Sequence, residues 1–188
     1  MTCPDTVFER IIKPNNSRQD FVNEEMRSSM YDDGILDIYI DRNGLMRDNA
    51  VDLTSTENAD YIIEALDYFE EVTGIEMNYV DSEFKSELSF HQLSSEPLQG
   101  FERWAGVPSN TAGLIHSKGN QDTNIYFENQ EDPGLTKTII FHEIAHAFGA
   151  YELQNPGTVT SSQSIMGYDY NGFFGYTESD QTLFETLY

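Results

Sequence analysis

Between residues 56 and 73, apolar side chains return every three or four positions, at Tyr61, Ile62, Ala65, Leu66, Phe69 and Val72. That spacing lays them on one side of a helix opened by Thr56-Glu57-Asn58, and Gly74 is a natural stop. Shorter stretches follow a different pattern. Residues 35–41 (ILDIYID), 75–80 (IEMNYV), 87–92 (ELSFHQ), 111–116 (TAGLIH) and 123–127 (TNIYF) are rich in β-branched and aromatic residues. They predict five short strands. In 87–92 the alternation around Leu88 and Phe90 predicts a half-buried strand, with His91 on the solvent side. A further helix is predicted from near Thr136, after an Asp132-Pro133-Gly134 turn. Its Ile139, Ile140, Phe141, Ile144, Ala145 and Phe148 surround most of the circumference, the mark of a buried helix. Arg42-Asn43-Gly44 reads as a turn, and residues 97–110, with the only tryptophan, Trp104, as a loop. In 1–34, two short helical pieces flank a Pro14-Asn15-Asn16-Ser17 loop and carry no functional signal. No repeat or linker divides the rest, so 35–188 is expected to form one α+β domain.

The buried helix carries the chemistry. It contains His142-Glu143-Ile144-Ala145-His146, an H-E-x-x-H pattern. Residues four apart lie one turn apart on the same helix face, so two imidazoles can share one tetrahedral zinc ion. Glu143 lies beside them, placed to take a proton from a metal-activated water without itself being a ligand. The ordinary alternative is a helix with two unpaired surface histidines. The apolar flanks speak against it, because buried imidazoles need partners. His116 could be a further metal ligand, but no partner histidine lies nearby in sequence and it reads as structural.

Charge narrows the partners. The 188 residues hold 33 acidic against 10 basic side chains, a net charge of −23. Such a chain is repelled by nucleic acid and by anionic membranes. No apolar run approaches the ~20 residues of a membrane span. The acid excess fits simple solubility, and also admits structural calcium ions (Ca2+) or a cationic substrate. Residues 1–16 show no apolar signal-peptide core. Cys3 is the single cysteine, so no intrachain disulfide is expected, and its T-C-P-D setting reads as tail.

Three segments together resemble one family. His142-Glu143-x-x-His146-x-x-Gly149-x-x-Glu152 is similar to the extended zinc signature of the metzincin metallopeptidases. Ser164-Ile165-Met166-Gly167-Tyr168 resembles their Met-turn. Tyr176-Thr177-Glu178-Ser179-Asp180, running to Leu187-Tyr188, is similar to the C-terminal helix of matrixin and serralysin catalytic domains. The resemblance implies a twisted mixed five-stranded sheet with a backing helix, an active-site helix and a C-terminal helix. It implies a zinc (Zn2+) endopeptidase in which His142, His146 and Glu152 bind metal and Glu143 is the general base. Met166 would lie beneath the metal, and Tyr168 would stabilise the oxyanion. Protein or peptide substrate would lie extended along an edge strand at 112–116. A secreted location goes with the resemblance. The pattern departs from the family at Glu152, where the third ligand is usually His and sometimes Asp. That departure leaves two rivals: a zinc peptidase of another class using Glu178 or Glu185, and a catalytically silent binding or structural module.

Overall fold

The computed structural model describes residues 34–42, 54–93, 112–117, 123–150, 159–167, 172 and 175–188. Among them are five strands: β1 (Ile35–Ile40), β2 (Glu76–Tyr79), β3 (Leu88–Leu93), β4 (Gly113–Ser117) and β5 (Thr123–Glu128). Three α-helices accompany them: α1 (Thr56–Thr73), α2 (Pro133–Ala147) and α3 (Glu178–Leu187). The strands form one sheet in the order β2-β1-β3-β5-β4. Pairings from β2 through β5 are parallel, and β4, at one edge of the sheet among the described residues, is antiparallel to β5. This mixed five-stranded sheet with three helices agrees with the α+β expectation.

Alternation sorts the strands onto two faces. Leu36, Ile38, Leu88, Phe90, Ile125 and Phe127 are fully buried on the helix-covered face. Phe69 of α1 is the hub beneath them. It stacks on Phe148, just beyond α2, at 3.9 Å and 14°, and meets Phe184 of α3 edge-on at 4.3 Å. Lys137 on α2 reaches both carboxylate oxygens of Glu64 on α1, at 2.6 and 2.7 Å.

Three expectations change. His91 is fully buried, not on the solvent side, and β3 is buried along its whole length. The second face of the sheet is a buried polar layer. His91 Nδ1 lies 3.4 Å from Asp41 Oδ2, and Nε2 lies 3.3 Å from Asn124 Oδ1. Its ring stacks on Tyr126, 5.1 Å away, and the Tyr39 hydroxyl donates to Asp41 Oδ1 at 3.3 Å. Parallel strands are commonly covered on both faces. The third change is at 132–134. Asp132 is the N-cap of α2, accepting from Gly134 N at 2.9 Å, and Pro133 is the first helical residue. Proline suits that position because its missing N–H has no partner there and its φ is already helical. Of the Arg42-Asn43-Gly44 turn, only Arg42 is described. The loop at 97–110, the helical pieces of 1–34 and Cys3 lie outside the described residues.

The first helix meets its expectation at both ends. Ser55 Oγ accepts from Asn58 N at 3.1 Å, and Gly74 closes the helix with φ +74°. Asn58 Nδ2 donates to Gln92 Oε1 at 2.8 Å and Asn129 Oδ1 at 3.0 Å, tying the helix start to β3 and to the end of β5. Ser55→Ala is expected to cost about 1 kcal/mol through loss of the cap. Urea unfolding should show the shift in midpoint without a change in slope.

Candidate metal centre

The site starts from one local fact: α2 is buried on every side. From Thr138 to Ala147 each of its residues is buried, including His142, Glu143 and His146. The helix period puts the two imidazoles on one face, with their Nε2 atoms 3.1 Å apart. Each ring is oriented from behind. His142 Nδ1 lies 3.1 Å from the Ile165 carbonyl, and His146 Nδ1 lies 2.8 Å from the Ala150 carbonyl. A carbonyl only accepts, so Nδ1 carries the hydrogen in both rings and donates it. In the neutral tautomer that remains, each Nε2 presents a lone pair to the other. Two nitrogens converging in this way are placed to share one metal ion. Two nitrogens on one tetrahedral zinc, each about 2.0–2.1 Å from it, lie about 3.3 Å apart. The donor pair fits zinc, and its backbone-carbonyl partners are the kind that orient metal-binding histidines.

The two carbonyls arrive from opposite directions. After α2 the chain reverses at Gly149, whose φ of +108° favours glycine. Gly149 N donates to His146 O at 3.1 Å and Ala150 N to Ala145 O at 2.9 Å, and this reversal carries the Ala150 carbonyl back to His146. Ile165 comes from the tight turn around Met166, which is fully buried. Gly167 ends that turn, where a Cβ would strike the backbone of Thr160 and Ser161.

A buried carboxylate holds the turn. Asp180, on the first turn of α3, accepts from Ser164 Oγ at 2.5 Å and from Ile165 N at 2.9 Å. It also accepts from Thr177 N at 2.8 Å and Thr177 Oγ1 at 3.0 Å; the first of these, with the Thr177 side chain accepting from Asp180 N, makes a capping box at the head of α3. Burial pushes its carboxyl above the ordinary 3.8, while the hydrogen bonds from Ser164, Thr177 and Ile165 pull it down. The chain Asp180–Ile165–His142 thus links the C-terminal helix to the metal face.

Glu143 lies against the edge strand. Its Oε1, Cγ and Cδ stand 2.5, 2.6 and 2.7 Å from where a Cβ on Gly113 of β4 would be. Among the expected site residues the structure brings His142 and His146 together, with Glu143 buried on the same helix and Met166 buried next to Ile165, whose carbonyl meets His142. Glu152 and Tyr168 lie outside the described residues. Glu178 and Glu185 are exposed on α3. Among the described residues no group of three His, Cys, Asp or Glu can hold a metal, so neither glutamate joins the pair. His116 sits on β4 opposite Asn124, away from the pair in sequence and on the other face of the strand from Gly113. Sequence reasoning missed Asp180, Gly113 and the two carbonyls. The Thr177-x-x-Asp180 spacing and a glycine inside a strand pattern were the available signals for the first two.

No family model matches the chain, and no curated protein does. Among solved structures, a chain from the GM1 bound form of the ECX AB5 holotoxin is similar, with a TM-score of 0.51 at 12% identity. The match covers 86% of this chain and 82% of that one. At that identity the likeness concerns the fold alone. No helix among the described residues is long and apolar enough to cross a membrane.

Proposed function

We propose that this chain is a zinc-dependent endopeptidase of the metzincin kind. The observation that carries the reading is the pair of Nε2 lone pairs 3.1 Å apart, each fixed by a carbonyl on its Nδ1, with a buried glutamate beside them. Two further features support it. The antiparallel edge strand runs beside the metal helix, and the buried Met166 turn supplies the carbonyl that orients His142. The mixed sheet with its three helices is consistent with a metzincin fold, which we propose here together with a secreted location.

In this reading His142 and His146 hold zinc, and Glu152 completes the set. A bound zinc ion would polarise a peptide carbonyl and acidify a water molecule. Glu143 takes the proton from the attacking water and delivers it to the leaving amine. Tyr168 donates to the developing oxyanion. The peptide lies along β4. Ala112 O accepts from Glu128 N at 2.9 Å, so alternate residues of β4 face β5. Gly113 and Ile115 then turn their N–H and C=O toward the open edge, where an extended peptide can pair.

The test combines metal content with cleavage. Purified protein is expected to carry about one zinc per chain by elemental analysis, and to cleave members of a broad peptide library. A chelator should abolish cleavage, and added zinc should restore it. His142→Ala with His146→Ala should remove both metal and activity. Zinc bound without cleavage of any peptide would favour the silent-module reading. No zinc after reconstitution would sink the metalloenzyme altogether.

A further inference from the structure

Against Glu143 of α2, β4 presents a residue with no side chain. A Cβ on Gly113 would lie 2.5 Å from Glu143 Oε1, and nearly as close to Cγ and Cδ. Real Cβ atoms do not stand that close to other heavy atoms. The backbone does not explain the glycine, because Gly113 is not among the positive-φ glycines. Any residue could adopt its conformation, and glycine weakens a strand interior unless something approaches closely. What approaches is the carboxylate of Glu143.

We infer that Gly113 is a positioning residue for Glu143: its missing side chain sets how near the carboxylate stands to the edge strand. The same residue turns its backbone N–H and C=O outward, by the register that points Leu114 and His116 at β5. A peptide paired on β4 and the base that serves it therefore meet at one residue. An alanine there leaves the strand's pairing groups in place and drives the carboxylate away from the edge. The steric part stands on the geometry alone, and the catalytic part rests on the endopeptidase reading above.

A cycle of Gly113→Ala, Glu143→Ala and the double variant separates the two parts. In the parent background Gly113→Ala is expected to lower the melting temperature by about 2–4 °C or more. In the Glu143→Ala background, where the clashing atoms are gone, the drop should largely vanish. If Gly113→Ala alone fails to fold, recovery of a folded double variant is the same result in stronger form. In the active, zinc-loaded protein, Gly113→Ala should lower kcat by about tenfold or more with KM nearly unchanged, because misplacing a catalytic group costs turnover. That loss should be smaller in the Glu143→Asp background, whose side chain is one methylene shorter. Equal melting shifts in both backgrounds, or a variant that turns over like the parent, would overturn the inference. A parent that binds no zinc and cleaves nothing would sink the endopeptidase reading while leaving the thermal cycle to be read.

Discussion

Glu143→Gln is expected to reduce peptide cleavage by about 10²- to 10⁴-fold while leaving zinc content and melting temperature close to the parent's. The substitution preserves the volume that packs against Gly113 and replaces only the basic oxygen. His142 and His146 keep their carbonyl partners, since neither Ile165 O nor Ala150 O involves Glu143. A base acts in the transition state, so kcat and kcat/KM should fall together, with KM little changed. Steady-state kinetics on one good library peptide, with zinc measured on the same sample, checks this. A Gln variant as active as the parent would remove Glu143 from the chemistry.

Asp180→Ala should destabilise the fold by about 3–5 kcal/mol, because it strands two buried donors and a half-buried one at once. Those donors are Ser164 Oγ, Ile165 N and Thr177 N, and the capping box of α3 goes with them. The damage should reach the metal. With Ile165 loosened, His142 loses its orienting carbonyl, and zinc affinity should fall by about tenfold or more. Denaturant unfolding and competitive zinc titration measure the two effects separately. Asp180→Asn adds a sign. Burial raises the Asp180 carboxyl in the folded state, so the folded chain keeps a proton there at pH values where the unfolded chain has lost it. Its stabilising contribution is fullest below the unfolded value and declines as pH rises through the folded one. The stability gap between parent and Asp180→Asn should therefore narrow as pH climbs from roughly 4 toward neutrality. A gap that widens instead would mean that the hydrogen bonds outweigh burial and hold Asp180 ionised.

Periodicity and local chemistry made the elements legible. The helix at 56–73 was legible at both ends, because Gly74 and an apolar stripe mark it independently. Strand edges shifted by one or two residues, as at 111–116, where the strand itself runs Gly113–Ser117. The Asp132-Pro133-Gly134 turn was misread because the same three residues also start helices, with Asp132 as N-cap and Pro133 as the first helical residue. His91 was misplaced for a different reason. Alternation separates two faces of a strand but does not say whether the polar face meets water or a partner such as Asp41. The His142–His146 pair was legible because both members lie on one helix. Their carbonyl partners were not, since Ile165 comes from a distant turn and backbone oxygens leave no trace in a sequence.

The link from Asp180 through Ile165 to His142 also has a consequence in time. A ribosome releases both histidines, the strands and the Met166 turn before residue 180 appears. Until then Ile165 N and Ser164 Oγ lack the carboxylate that fixes them. The parallel strand pairs join distant stretches of chain, which makes the sheet slow to assemble. A nascent chain arrested before Thr177 should thus hold an H-E-x-x-H helix whose first histidine is not yet aimed. The aim of the first histidine therefore waits on residues 177–180, which follow it by more than thirty positions.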